Sequence, residues 1–294
     1  PATVESVANF GFRNVKTLRK VVFQEGLKVL GTSAFNGCSA LTEIQLPNSL
    51  ESIGPFAFSD NKFETLILGE NVQSLDDWAF AFVDPLKHLV VEGKDLAIPS
   101  FFCMSNLETL YLGNGVTTVD GFGYMTSLQH VVLGENVSLS DWAFAGLTNT
   151  TFYAVPGTQG YAAAQALVAQ LGAQNTLKDY APLAVDAYAS QDTVTERTKV
   201  TAAAVGGAGT LEYRFVTVDA NGQETELQAY SAVNTVEVPV GETPVTVRAY
   251  VRDVTMLEVS GQTVLTLGGS ASAFAITKQP ENVTAYPNQN AVFT

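Results

Sequence analysis

The feature that most constrains this chain is a six-residue segment that occurs six times in the first half of the sequence. It first stands at residues 18–23, Leu-Arg-Lys-Val-Val-Phe, where the first, fourth and sixth residues are apolar. The same pattern follows at 41–46, 63–68, 86–91, 107–112 and 128–133, at intervals of 21 to 23 residues. Periods of this length are typical of solenoids, in which each coil buries its apolar face against the next coil.

A phenylalanine occupies a second fixed place near the end of each unit, and a small residue always precedes it. The phenylalanines are Phe12, Phe35, Phe58, Phe80, Phe101, Phe122 and Phe144, and the small residues are Gly11, Ala34, Ala57, Ala79, Ser100, Gly121 and Ala143. The chain between strand and phenylalanine carries another apolar stripe, formed by Leu27, Leu30, Leu50, Ile53, Val72 and Leu75. We expect the rings and this stripe to fill the interior, and the small residues to let neighbouring backbones approach closely.

The repeats extend over residues 1–156, and the segment 157–179 is predicted to close them. Apolar residues at helical spacing predict a capping helix from Gln159 to Leu171, with Gly172 as its C-terminal stop. The composition changes from Asn175 to Leu183, and Pro182 marks this segment as a linker. At the other end, residues 4–12 match only the second half of a unit. We therefore expect either a missing N-terminal part or an unprotected first coil.

The pattern changes to alternation of apolar and polar residues over 180–276. This alternation is clear at 211–215 and 245–251, and Asn221-Gly222 between two such runs predicts a β-hairpin. About seven short strands in one segment predict a β-sandwich. Residues 277–294 are interpreted as the truncated start of a further module of this kind.

Two motifs resemble a known family. The unit at 41–58, Leu-x-x-Ile-x-Leu-Pro-x-x-Leu-x-x-Ile-Gly-x-x-Ala-Phe, and the Ala-Phe-x-x-Cys sequence at 34–38 resemble the BspA-type leucine-rich repeat. Residues 180–276 are similar to bacterial immunoglobulin-like or fibronectin-like modules, and Gln-Pro-Glu-Asn-Val at 279–283 resembles the start of another one. The resemblance implies a mostly β fold, with a leucine-rich-repeat solenoid, a capping helix and a sandwich. It also implies a bacterial cell-surface or extracellular protein with a role in adhesion.

Composition excludes several classes of function. The chain has 15 basic and 29 acidic side chains and a net charge of -14, which argues against binding nucleic acid or anionic membrane surfaces. It contains no apolar run of about 18 residues, so we expect no membrane insertion in this segment. Within residues 1–179 there are 9 basic and 17 acidic side chains, which favours basic or neutral partners.

The residues that could carry chemistry do not form a recognisable constellation. His88 and His130 stand two strands apart, about 10 Å, which is too far to ligate one metal ion together. Cys38 and Cys103 stand three units apart, about 14 Å, so we interpret both as buried free thiols. The sequence has no Gly-x-Ser-x-Gly motif and no glycine-rich phosphate loop. We expect no enzyme activity, no catalytic residue, no metal and no cofactor.

Two surfaces are candidate binding sites. The fifth residue of each strand should face outwards, and these residues, here called the ladder, are mostly apolar: Val22, Gln45, Ile67, Val90, Tyr111 and Val132. Such a stripe suits a protein partner, namely a host or bacterial surface protein, although β-branched residues also simply favour strands. The second surface contains Trp78 and Trp142, each in Asp-Trp-Ala-Phe, which either stack on a glycan or pack on the next coil. A structural spacer with no ligand is the third alternative.

Overall fold

The computed structural model describes residues 4–100, 104–192, 197–239, 244–256 and 260–267, and these form a β-solenoid followed by two antiparallel sheets. Phe101, Cys103 and the module predicted at 277–294 lie outside the described residues. The strands of the solenoid are β1 (Ser6–Val7), β2 (Lys20–Val22), β3 (Val29–Leu30), β4 (Glu43–Gln45), β5 (Ser52–Ile53), β6 (Thr65–Leu68), β7 (Ser74–Leu75), β8 (His88–Val91), β9 (Leu96–Ser100), β10 (Thr109–Leu112), β11 (Val116–Gly121), β12 (His130–Leu133), β13 (Ser138–Leu139) and β14 (Thr151–Ala154).

The six-residue repeats form the front sheet of the solenoid. Strands β2 and β4 pair in parallel, and β6, β8, β10, β12 and β14 continue as a parallel sheet in the order of the sequence. Equivalent residues pair across each strand boundary, for example Tyr111 with Val132. The predicted inward residues are buried from the third unit onwards, as Leu66, Leu89 and Leu110 show. The period of the sequence is therefore the period of the sheet.

The second predicted stripe lies on a back sheet of very short parallel strands. Strands β1, β3, β5 and β7 form one group, and β9, β11 and β13 form another. Leu27, Leu30, Leu50, Ile53, Val72 and Leu75 are all buried, as predicted. The front and back stripes share one core, so neither sheet is stable without the other.

The phenylalanines of the described coils stack in a column between the two sheets. The expectation of an interior ring is wrong for Phe12, which stacks on Phe35 at the open end of the column and is 44% exposed. The ring centroids of Phe35 and Phe58 are 5.6 Å apart, and those of Phe58 and Phe80 are 5.7 Å apart, with nearly parallel planes. The residue before each buried ring is itself buried and small, so that the backbones of neighbouring coils can approach within hydrogen-bonding distance. Phe58 N, for example, donates to Ala79 O at 2.8 Å. The predicted close backbone approach is confirmed.

Two polar side chains occupy the core three residues after the phenylalanine. The Cys38 thiol donates to Phe12 O at 3.1 Å and is buried, which raises the pKa of this thiol. One unit later Asn61 takes the same place, and its Nδ2 donates to Phe35 O at 3.1 Å and to Phe58 O at 2.6 Å. These side chains therefore give buried backbone carbonyl groups of the stacked turns a further hydrogen-bond donor.

A helix covers the C-terminal end of the stack, as predicted. It is α1 (Gln159–Leu171), it begins after Thr158, whose hydroxyl accepts from Tyr161 N at 3.2 Å, and it ends at Gly172 with φ 96°. Ala164 and Leu167 are buried against the solenoid core. The predicted linker is partly wrong, because β15 (Thr176–Asp179) pairs in parallel with β14 and adds one more strand to the front sheet.

The remaining strands form two antiparallel sheets that share an apolar core. They are β16 (Ala181–Asp192), β17 (Arg197–Gly207), β18 (Leu211–Val218), β19 (Glu224–Ser231), β20 (Thr235–Pro239), β21 (Val245–Asp253) and β22 (Ser260–Leu267). One sheet has the order β16-β17-β20 and the other β19-β18-β21-β22. The core between them includes Val200, Phe215 and Val247.

The predicted hairpin connects β18 and β19. Gly222 has φ 81°, a conformation that glycine adopts without strain, and the Asp219 carboxylate accepts from Asn221 N and Gln223 N at 2.8 Å each. The carboxylate of Asp219 therefore holds the turn together.

Candidate functional site

The ladder divides into an exposed half and a covered half. Val22 is 55% exposed and Ile67 is 44% exposed, whereas Val90 is 5% and Val132 only 1% exposed. Tyr111 is half-buried between the two. The expectation that the whole ladder faces solvent is therefore wrong for Val90 and Val132.

The second part of the chain covers the far end of the ladder. Met256, which follows β21, packs in an apolar cluster against the solenoid end of the chain. The other members of this cluster are Val132 and Tyr153 of the front sheet, Val155 and Tyr180. Tyr111 and Ala208 pack against the edge of this cluster. Burial of such side chains contributes about 25 cal/mol for each square ångström of apolar surface removed from water. The outward apolar residues of the C-terminal coils thus belong to a contact within the chain, which we call the docking contact.

The exposed half of the ladder keeps a charged border. Lys20 Nζ lies 2.7 Å from Glu43 Oε2, and both side chains are more than half exposed. Lys87 Nζ and Glu64 Oε2 form a second pair at 3.0 Å. Because exposed pairs of this kind contribute little to stability, they are available to a partner. An apolar stripe with a polar rim is the usual composition of a protein interface.

The two histidines lie on the same sheet and hydrogen-bond along it. His88 Nδ1 is 2.9 Å from Thr109 Oγ1, and His130 Nδ1 is 3.2 Å from Tyr153 Oη. Burial lowers the pKa of both side chains. Each histidine thus hydrogen-bonds to a side chain on the next strand, and the two histidines bind separate partners. Within the ranges described, no three side chains of His, Cys, Asp or Glu lie together in a metal-binding arrangement.

The two tryptophans differ in their surroundings. Trp78 is half-buried and stacks on Phe56 of the preceding coil, with ring centroids 6.3 Å apart. Trp142 is 68% exposed, and Tyr124 in the preceding coil is 74% exposed. The interpretation of packing on a neighbouring coil therefore suits Trp78, and the open ring that a sugar requires belongs to Trp142.

Comparison with known families agrees with this architecture. The model of the BspA type leucine rich repeat region matches residues 5–121 in six copies. Residues 5–121 are BspA-type leucine-rich repeats. The resemblance drawn from the Ala-Phe-x-x-Cys motif is thereby confirmed for this part of the chain.

Several solved structures are similar to the chain. One is a leucine-rich repeat protein from Bacteroides ovatus, at 21% identity and a TM-score of 0.36, over 52% of this chain and 54% of that one. Another is the pneumococcal vaccine antigen PcpA, at 23% identity and a TM-score of 0.38, over 60% of this chain and 39% of that one. A third is a T. pallidum leucine-rich repeat protein, at 18% identity and a TM-score of 0.38, over 58% of this chain and 78% of that one. No curated protein matches the sequence.

The chain thus spans about half the length of the B. ovatus protein and less of the pneumococcal antigen. None of the helices in the described ranges has the length and apolar character to cross a membrane.

Sequence reasoning missed three residues of the site. Tyr153, Tyr180 and Met256 form the docking contact, yet they belong to a degenerate last unit, a predicted linker and a loop. The two tyrosines offered a weak signal, because both are aromatic residues in segments otherwise expected to be exposed. Met256 offered none.

Proposed function

We propose that this chain is a non-enzymatic bacterial surface protein that binds a protein partner through the exposed half of its ladder, in an adhesive role. One observation carries the proposal. The same row of outward side chains that is buried at Val132 continues as exposed apolar surface at Ile67 and Val22. A face that already holds one protein module by apolar contact has the chemistry to hold a second.

The partner of this proposal is a host or bacterial surface protein with an apolar patch and a neutral or basic border. The acidic excess of residues 1–179, with 17 acidic and 9 basic side chains, supports the second condition. Complementary charge would increase the rate of association more than the final affinity.

The two antiparallel sheets are proposed to be an immunoglobulin-like or fibronectin-like stalk. A three-stranded sheet, β16-β17-β20, and a four-stranded sheet, β19-β18-β21-β22, pack on a common core, which is the arrangement of that class of sandwich. In this role the sandwich holds the solenoid away from the cell surface. The docking contact fixes the angle between them.

The test is a binding screen on arrays of matrix and surface proteins with wild type and two matched variants. Val22→Lys places a charge on the exposed ladder, and Val29→Lys places the same charge on the back sheet, where Val29 is 40% exposed. We expect Val22→Lys to weaken binding at least tenfold and Val29→Lys to bind like wild type. Equal binding by all three proteins would move the site away from the ladder.

Glycan binding is the second candidate function, and the exposure of Trp142 favours it. Stacking of a sugar on an open indole ring would place the site on the turn side of the last coils, beside Tyr124. We expect Trp142→Ala to abolish a glycan signal while Trp78→Ala, a change at the partly covered ring, reduces it less. Silence of wild type on both protein and glycan arrays would support the structural spacer.

A further inference from the structure

A pocket lies at the junction between the solenoid and the sandwich, apart from the exposed ladder. It has a volume of about 120 Å³ and is open to solvent. Its polar walls come from Glu92, Tyr111, Asn114 and Tyr180, and Pro182 at the start of β16 forms part of its rim. The pocket therefore shares Tyr111, Val132, Val155 and Tyr180 with the docking contact.

The hydroxyl group of Tyr180 is the first sign that this pocket has a ligand. Tyr180 is only 5% exposed, and its buried Oη faces the Tyr111 hydroxyl group without forming a hydrogen bond of normal geometry. Buried hydroxyl groups nearly always have a partner, because an unsatisfied one is strongly destabilising. Burial raises the pKa of Tyr180, and the nearby Tyr111 phenol and the carboxylates of Asp253 and Glu92 raise it further.

The carboxylate of Glu92 is the second sign. Glu92 is half-buried, and none of the ion pairs found in the described ranges involves it. Burial raises the pKa of Glu92, and the neighbouring carboxylate of Glu70 raises it further. A partly buried carboxylate with another carboxylate nearby attracts a cation.

The backbone beside Glu92 is built to leave room for this carboxylate. A Cβ atom on Gly113 would lie 2.2 Å from Glu92 Oε2, so any larger residue would displace the charged group. The side chain of Asn114 is already engaged, because its Oδ1 accepts from Glu135 N at 2.8 Å. Two phenol oxygens and one carboxylate remain as acceptors.

We propose that this pocket binds a compact alkyl ammonium group, from a free amine or from the side chain of a lysine. A primary ammonium has three donors, which match the Glu92 carboxylate and the hydroxyl groups of Tyr111 and Tyr180. Leu112, Leu133 and Val132 provide apolar surface for the methylene groups. The bound group would also hold the solenoid and the sandwich together.

The experiment measures binding of n-butylammonium to the whole chain by titration calorimetry and ligand-observed NMR. N-acetyl-lysine N-methylamide is the second probe, and its affinity relative to butylammonium distinguishes a lysine side chain from a free amine as the source. Neutral n-butanol is the matched control ligand. We expect saturable binding with a dissociation constant of about 1 mM or tighter, and binding of butanol at least tenfold weaker.

Two variants test the residues. Glu92→Gln keeps the shape of the side chain and removes its charge, so we expect at least a tenfold loss of butylammonium affinity. Tyr180→Phe removes the unsatisfied hydroxyl, so we expect weaker binding together with an unchanged or higher melting temperature without ligand. A purely structural role of Tyr180 would move the melting temperature and leave the affinity as in wild type.

The control variants carry the same changes elsewhere. Glu43→Gln alters an exposed carboxylate of the solenoid, and Tyr188→Phe alters an exposed tyrosine of the sandwich. Both should bind butylammonium like wild type. The proposal is overturned if wild type shows no saturable binding of either ammonium probe, if butanol binds equally well, or if Glu92→Gln binds like wild type.

Discussion

The backbone nitrogen of Phe35 donates a hydrogen bond of 2.8 Å to the carbonyl oxygen of Ala57, the residue that precedes the equivalent phenylalanine one coil further. The same bond joins Phe58 to Ala79. The rings stack because these bonds hold successive turns at a fixed spacing. Stacking and hydrogen bonding therefore reinforce one another along the whole column.

We expect Phe80→Ala to lower the free energy of unfolding by about 3–5 kcal/mol, the usual effect of truncating a buried aromatic residue. Phe80 is fully buried between the sheets. Urea denaturation followed by circular dichroism measures the change. The matched control is Phe82→Ala, two residues further and exposed, for which we expect less than about 1 kcal/mol. Similar losses in both variants would contradict the inward orientation of the column.

Replacement of Asn61 by valine tests the buried amide. Val83 fills the same place in the next unit, so the size of valine is tolerated there. We expect Asn61→Val to destabilise the protein by about 1–3 kcal/mol, because the carbonyl group of Phe58 loses the amide donor and that of Phe35 keeps only Cys38 N. The exposed Asn136→Val should leave the denaturation midpoint nearly unchanged. A stabilising effect of Asn61→Val would show that the amide contributes nothing net.

The docking contact can be opened by placing a charge in it. Met256 is buried against Val132 and Tyr153, so Met256→Lys should separate the sandwich from the solenoid while both remain folded. Small-angle scattering should then give a larger radius of gyration, and proteases should cut near residue 180. Val264→Lys adds the same charge on an exposed strand and should change neither result. Unchanged scattering of Met256→Lys would contradict the contact.

The pH dependence of stability should report on His130. Burial and, next, Lys178 lower the pKa of His130, so the unfolded chain binds this proton more tightly than the folded protein. The contribution of neutral His130 to the free energy of unfolding is complete above the ordinary histidine pKa of about 6.5. It is lost as the pH falls from there through the lowered pKa of His130 in the folded protein. We expect the melting temperature to fall less steeply between about pH 7 and about pH 5 in His130→Gln than in wild type. The exposed Gln129→Ala should keep the wild-type slope.

Local periodicity was sufficient to predict the solenoid. Strand positions, the phenylalanine column and helix α1 follow from residues that repeat or alternate within one or two coils. The family model supports the repeats over residues 5–121. The hairpin at Gly222 follows from an equally local signal.

Contacts between distant segments could not be predicted in this way. Val132 resembles Ile67 in sequence and in strand position, yet a loop that follows β21 buries only Val132. Strand β15 was missed because it returns to the sheet after a helix and does not carry the repeat pattern. Asn61 was missed because its role is to donate hydrogen bonds to two backbone carbonyl groups, and the sequence does not show where those groups lie.

The hydrogen bonds from each phenylalanine to the next coil have a consequence for how such proteins change in length. Because every coil bonds only to its immediate neighbours, deleting or duplicating one whole unit in the exposed half would shorten or lengthen the front sheet by a step of about 4.8 Å. The sandwich rests on the last coils and would not be disturbed. The number of coils, and with it the length of the exposed ladder, can therefore change while the docking contact keeps its geometry.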